Sequence, residues 1–236
     1  KNSDDVLRGL SLEIEEGKLH CLLGGNGSGK STTLKAICGI IKPQSGKVKL
    51  ADNLRAAMVP QNPQALFTEI SCEEEVLEGM CYQKLEIEEK VRRTEEMLKL
   101  MEIEHLRKAN PYDLSGGEQQ RLALAKVMVS NPDILLLDEP TKGLDPFFKQ
   151  TLGRILRSLC KENKTIFMVS HDIEFCAEFG DRCSMFFDGE IATSGSAKEF
   201  FSGNNFYTTV ENKLTRKWCE GIITGEEARS WIRSLL

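Results

Sequence analysis

The chain has 236 residues, 40% of them apolar and 28% charged, with a formal net charge of −5. This composition supports a real core and excludes a disordered polymer. The acidic balance argues against a nucleic-acid coat, which needs a surplus of lysine and arginine. Eight cysteines occur with no C-x-x-C pair, and several sit in apolar runs such as Leu19-His20-Cys21-Leu22-Leu23, so they read as small buried hydrophobes of a reducing, cytosolic compartment.

In chain order, the alternation of Leu10 to Glu16 predicts a half-exposed strand after a short strand at Val6-Leu7, with a turn at Gly17-Lys18. Leu19 to Leu23 is a continuous apolar run fit for a buried strand, and a glycine-rich stretch follows at once. Ser31 to Cys38 has helical length and spacing and stops at Gly39. Pro43 to Gly46 turns the chain into a strand at Lys47 to Leu50. A further strand is predicted at Ala56 to Val59, where Pro60 and Pro63 exclude a following helix.

From Ser71 the texture becomes helical: Ser71 and Glu74 form a capping-box pattern, and Glu86 to Met101 is amphipathic. Residues 70–130 therefore read as a helical subdomain inserted into a core of residues 1–69 and 131–205, with 206–236 as a helical extension. Ile134 to Leu137 and Thr165 to Val169 are apolar runs of the kind found in parallel strands covered on both faces, with an amphipathic helix from Pro146 to Lys161 between them. Asp188-Gly189 marks a hairpin turn between Ser184–Phe187 and Ile191–Thr193. In the tail, Thr224 to Glu227 forms a second capping box, and Ala228, Trp231, Ile232 and Leu235 make a helical stripe. That stripe and both Trp218 and Trp231 are expected to be buried, against their own domain or a second copy's tail. His20 reads as core or strand-edge packing and His105 as helix-end surface. No run approaches the roughly 20 apolar residues of a membrane-spanning helix, and Lys1 to Asp5 lack a signal-peptide apolar region. The fold class is α/β, a mostly parallel sheet with an antiparallel part and an inserted helical subdomain.

Gly24-Gly25-Asn26-Gly27-Ser28-Gly29-Lys30-Ser31 fits G-x-x-x-x-G-K-[ST] between a predicted strand and a predicted helix. Glycines let backbone N–H groups and a helix N-terminus surround phosphates without side-chain clashes. Lys30 is placed to reach the β- and γ-phosphates and the Ser31 hydroxyl to bind Mg²⁺, with Thr32 completing the ATP-binding run. Asp138 and Glu139 close the Ile134 to Leu137 strand at its C-terminal end, where open α/β sheets bind ligands. Asp138 is the expected Mg²⁺ holder. Glu139, one residue further, suits the base that deprotonates an attacking water.

Leu114-Ser115-Gly116-Gly117-Glu118-Gln119-Gln120-Arg121 resembles the signature motif of ATP-binding-cassette (ABC) ATPases, and it lies between the phosphate loop and the acidic pair as in that family. Gln61 resembles the family's Q-loop, Gly143-Leu144-Asp145 its D-loop and His171 its switch histidine. The resemblance covers nearly the whole chain. It implies the ABC-ATPase version of the P-loop fold, ATP and Mg²⁺ as ligands, and a second ATPase subunit, homo- or heterodimeric. Ser115, Gly116, Gly117, Glu118 and Asp145 would then face the partner's ATP. Gln61 would sense Mg²⁺ and the water, and His171 the γ-phosphate. The family stacks adenine on an aromatic residue upstream of the phosphate loop, and no phenylalanine, tyrosine or tryptophan precedes Phe67. Two expectations follow: that residue lies before Lys1 in a longer native chain, which the abrupt start favours, or adenine contact is weak.

Gln61 to Glu69, followed by Glu73 to Val76, resembles the segment after the Q-loop in energy-coupling-factor (ECF) ATPases, and Phe200 to Thr209 is similar to the second cassette of tandem ECF ATPases. This branch implies uptake of a vitamin or a transition-metal ion through a transmembrane coupling protein at the cytoplasmic face, with no nucleic-acid partner. Leu66, Phe67 and Ile70 are the expected docking residues, ringed by Glu69, Glu73 and Glu74. Two other readings stay open: a generic importer cassette, and a soluble ATP-gated clamp in translation or DNA repair. The second is disfavoured by the lack of sustained heptads and of a charged linker between cassettes.

Overall fold

The computed structural model describes residues 6–7, 9–203 and 208–235; the Asn204 to Tyr207 part of the ECF-like stretch and the Lys1 to Asp5 start lie outside them. The first apolar run becomes β1 (Leu19–Gly24), buried at every position. It feeds a loop and then α1 (Lys30–Ile37). After β2 (Ala56–Val59), three helices intervene before the sheet resumes: α2 (Cys72–Glu78), α3 (Ile87–Leu100) and α4 (Gly116–Met128). The chain then alternates through β3 (Ile134–Asp138), α5 (Pro146–Lys161), β4 (Thr165–Val169), α6 (Ile173–Phe179) and β5 (Arg182–Phe187). It continues through β6 (Glu190–Ser196), α7 (Ala197–Gly203), α8 (Val210–Thr215) and α9 (Gly225–Ser234).

The six strands form one sheet in the order β2-β3-β4-β1-β5-β6. Every neighbouring pair is parallel except β5–β6. That hairpin turns on Asp188 and Gly189, whose φ values of 47° and 84° are the left-handed pair such a two-residue turn requires. The central strands divide their side chains by parity, as a pleated strand must. Leu135, Leu137, Ile166 and Met168 join the larger core with α2–α7, whereas Leu136, Phe167 and Val169 pack on the opposite face with Leu34 of α1.

The predicted strands at Leu10 to Glu16 and Lys47 to Leu50 do not form, nor does one at Val6-Leu7. Leu10, Leu12 and Ile14 keep the expected alternation and rest against the smaller core, but no neighbouring strand offers them a hydrogen-bonded ladder. Val48 and Leu50 are exposed, so no buried face fixes a register there. The tail departs as well from the first of its two expectations, burial against its own domain. Its capping box forms at Thr224 and Glu227, yet Trp218 is 74% exposed and Ile232 and Leu235 face outward, with Trp231 half-buried. The turn between α8 and α9 seats Ile222 and Ile223 instead, tied by Asn212, whose Nδ2 donates to Ile222 O at 3.2 Å.

The cysteines are all free, and five are buried. His20 is buried, its Nε2 sharing a 2.7 Å hydrogen bond with Ser184 Oγ, and His105 is exposed in the middle of a short 3₁₀ turn, Glu104–Leu106. No helix among the described residues is long and apolar enough to cross a membrane.

Candidate nucleotide site

Parallel registry gathers the motifs on one rim. Leu22 of β1 and Asp138 of β3 both pair with Val169 of β4, and Val59 of β2 pairs with Leu137. The loop after Gly24, the Asp138–Glu139 pair, Gln61 and His171 therefore all leave C-terminal strand ends side by side, where open α/β sheets bind ligands.

The glycines of the loop have local reasons. A Cβ on Gly24 would lie 2.3 Å from Phe186 O, so β1 and β5 can approach only with glycine there. Gly29 caps α1 at φ 111° with no side-chain cap, leaving the helix's first N–H groups, with those of Ser31 and Thr32, to the loop. Gly25 has open space around its Cβ position, so a side chain there is tolerated. Lys30 Nζ donates to Gly24 O at 2.8 Å and Gly25 O at 2.7 Å, which draws the ammonium across the loop that Asn26, Gly27 and Ser28 complete. Burial lowers the Lys30 pKa, opposed by the charges of Glu139 and Asp138.

Asp138 is 3% exposed, its Oδ1 has no hydrogen-bond partner, and the Ser31 hydroxyl bonds the same carboxyl. Burial raises its pKa. A buried carboxylate oxygen with spare acceptor capacity, next to a hydroxyl and a phosphate loop, fits the hard-oxygen preference of Mg²⁺. Glu139 stands in the left-handed region at φ 54° and is held from both ends of one residue: His171 N donates to Oε2 at 3.1 Å, and His171 Nε2 lies 3.2 Å from Oε1. Burial raises the Glu139 pKa, and the His171 charge and amide work against that rise. The carboxylate is thereby made a better proton acceptor while the strained backbone aims it.

The signature residues open α4. Ser115 Oγ donates to Glu118 Oε2 at 2.6 Å and Ser115 N donates to it at 2.8 Å, a complete capping box that leaves the Gly116 and Gly117 amides at an exposed helix start. Gly117 lies against the D-loop, where a Cβ would sit 2.8 Å from Gly143 O. Asp145 caps α5, accepting from Phe147 N and Phe148 N at 3.0 Å. It also pairs with Arg121 of α4 at 2.6 Å, and that guanidinium lies 3.8 Å over the Phe148 ring. Gln61 is exposed, two residues past β2.

Of the expected docking residues, Ile70 is 75% exposed and Leu66 half-buried, but Phe67 is only 6% exposed. Phe67 joins the main core and meets Tyr112 edge-on at 6.1 Å, which favours anchoring the helical segment from inside over docking. The acidic ring is also partly spent, because Glu73 is taken by Arg107 and Lys108. Sequence reasoning assigned no role to Arg121, or to Glu75 and Lys126, which pair in the interior; a lone lysine inside the apolar run Leu122 to Val129 was the available signal.

The sheet order and this rim define a P-loop nucleotide-binding fold of the cassette type. A profile of the ABC transporter family matches residues 7–142. A protein of Bacillus cereus, provisionally named an ABC transporter ATP-binding protein, is 42% identical over 96% of this chain and 43% of its own length. The energy-coupling factor transporter ATP-binding protein EcfA of Methanococcus maripaludis is 31% identical over 89% of this chain and 81% of its own. Among solved structures, cbiO1 of Clostridium perfringens, part of the ABC transporter complex cbiONQ, superimposes with a TM-score of 0.75 at 31% identity over 92% of each chain. A dimeric ATP-binding cassette in a post-hydrolysis state with ADP and Pi gives 0.73 at 30% identity, over 84% of this chain and 94% of that one. The chain belongs to the ATP-binding proteins of the ABC transporter family. It spans about half or less of the length of several of the curated relatives it matches, 43% of the Bacillus cereus protein and 53% of one from Clostridium tetani.

Proposed function

We propose that the chain binds and hydrolyses ATP to power an ECF-type importer of a vitamin or transition-metal ion. The observation that carries the catalytic part is the two-point grip of His171 on Glu139 beside Lys30 and Asp138. In this reading Lys30 and the amides from Gly24 to Thr32 hold the triphosphate, while Ser31, Asp138 and Gln61 hold Mg²⁺, which supplies charge neutralisation at the phosphates. Glu139 takes the proton of the attacking water and His171 keeps the carboxylate oriented toward the γ-phosphate. ABC cassettes form dimers, and Ser115, Gly116, Gly117, Glu118 and Asp145 are the residues this chain would turn toward a second subunit's nucleotide.

The ECF assignment is supported by the EcfA and cbiO1 relatives. It places the chain at the cytoplasmic face of the membrane through a transmembrane coupling protein, with Leu66 and Ile70 as contacts. We read residues 70–130 as a helical subdomain that swings on a core of 1–69 and 131–205, with 206–236 as an extension. The test combines Glu139→Gln, which should retain MgATP binding and lose turnover, with co-purification from membranes. Wild-type turnover in the variant sinks the base assignment. Recovery with ribosomes and not with a membrane protein sinks the importer.

A further inference from the structure

α4 begins at the signature and runs three turns inward to Lys126, whose side chain is only 9% exposed. There the ammonium donates to Leu66 O at 2.7 Å and pairs with Glu75 Oε2 at 2.5 Å and Glu78 Oε2 at 2.9 Å, with Thr68 Oγ1 at 3.4 Å. Glu75, fully buried on α2, spends its other oxygen on the same stretch, accepting from Thr68 N at 2.5 Å and Glu69 N at 2.7 Å. Both side chains thus close on residues 66–69, the segment that leads from Gln61 into α2. A second link runs alongside, Gln64 Nε2 to Gln119 Oε1 at 3.3 Å. A helix is stiff over three turns, so the signature end of α4 cannot shift without carrying its inner end.

We propose that Lys126 and Glu75 are positioning residues, a buried ionic latch that makes the signature helix and the segment after Gln61 move as one body. The inference rests on the proposed roles of Gln61 and Ser115, and it adds the route by which a change at Gln61 in one subunit displaces Ser115 of the same subunit across the partner's nucleotide. Neither residue lies on the nucleotide rim; their polar side-chain contacts are with residues 66–69, Glu78 and each other. The pair is therefore expected to act on closure and turnover and not on nucleotide affinity. A pair kept only for stability could be exchanged for neutral groups with no kinetic cost.

The experiment compares the wild type with Lys126→Met, Lys126→Arg and the neutral double variant Glu75→Gln/Lys126→Met. Amide exchange across 61–70 and 115–120, MgATP affinity, kcat per folded molecule and ATP-dependent dimerisation in a Glu139→Gln background are measured for each. In Lys126→Met, exchange at Thr68 and Glu69 should rise at least tenfold and kcat and dimerisation should fall about tenfold, with affinity unchanged within twofold. Lys126→Arg should restore kcat to within about threefold. MgATP should slow exchange in both segments of the wild type but no longer slow them together in the double variant. If either neutralised variant melts earlier but keeps wild-type kcat and dimerisation, the pair is structural and the proposal is overturned. Failure of the double variant to fold overturns it too, because a positional latch leaves the folded segment intact. A wild-type chain that neither binds nor hydrolyses ATP refutes the functional reading instead; the exchange rates of Thr68 and Glu69 in Lys126→Met still decide whether the latch holds.

Discussion

The nucleotide rim and the Lys126–Glu75 knot both keep charge out of water, but they treat their polar atoms in opposite ways. At the rim, Asp138 Oδ1 and Ser28 Oγ are buried without partners, burial raises the pKa of both Asp138 and Glu139, and Glu139 holds a strained backbone angle. In the knot, both Glu75 oxygens are occupied and the Lys126 ammonium has four acceptors. Burial works against the Lys126 charge, yet the two carboxylates overcome it and its pKa is raised. A site that must receive a ligand keeps acceptor capacity in reserve and gives up stability for it. A site that must transmit position saturates every group.

The comparison breaks most sharply at Glu139. Glu139→Gln should lower kcat by roughly 10²–10⁴-fold through loss of the base, measured as phosphate release under saturating MgATP. If the rim only positioned water, the loss would stay within a few fold. Next in size, Lys126→Met should cost about 3–5 kcal/mol of unfolding free energy because it strands a buried carboxylate, and the neutral double variant should recover much of it. Equal losses in the two variants would mean that packing, and not charge pairing, dominates the knot.

His20 supplies a third test, away from both regions. Burial, helped by the Arg182 charge, pulls its pKa down from 6.5 to about 4. The unfolded chain therefore takes up a proton that the folded chain refuses. Stability should be complete above about pH 6.5 and fall as the pH drops toward 4, by up to about 3 kcal/mol. Urea midpoints at two pH values measure this, and His20→Gln should flatten the difference. The smallest effect sharpens the contrast directly. A carboxylate with a raised folded pKa destabilises the fold once the pH exceeds its unfolded value of 4.5, so Glu139→Gln should raise Tm slightly at neutral pH and not below 4.5. Glu75→Gln should instead lower Tm, because it weakens the bonds to Lys126 Nζ, Thr68 N and Glu69 N.

The rim was legible in sequence because its chemistry is written in contiguous runs: Gly24 to Ser31 shapes its own loop, and Asp138-Glu139 follows its own strand. The knot was not, since Glu75 and Lys126 lie 51 residues apart and only packing of α2 against α4 joins them. Strand patterning worked where both faces are covered, as at Thr165 to Val169, and overreached at Leu10 to Glu16, because alternation marks a half-buried extended segment without supplying a partner for its ladder. Phe67 and Trp218 exchanged their expected places for one reason. Which of several apolar side chains reaches the interior is decided by packing that periodicity does not reveal: Tyr112, 45 residues further on, meets Phe67, and in the tail the nearby Ile222 and Ile223 are buried where Trp218 is not.

The distribution of thiols has a practical consequence. Five cysteines are sealed in the interior, where burial pushes Cys72 and Cys160 up to about 11 and leaves them poorly nucleophilic at neutral pH. Cys38 and Cys219 are half-covered, and Cys81 alone stands exposed. It follows the end of α2, its Sγ 3.5 Å from the Glu78 carboxylate that also meets Lys126. A maleimide dye added in limiting amount should therefore label Cys81 first, on the helices between β2 and β3 and beside the latch. The native sequence thus carries its own attachment point for following, by fluorescence, how those helices respond when nucleotide is added.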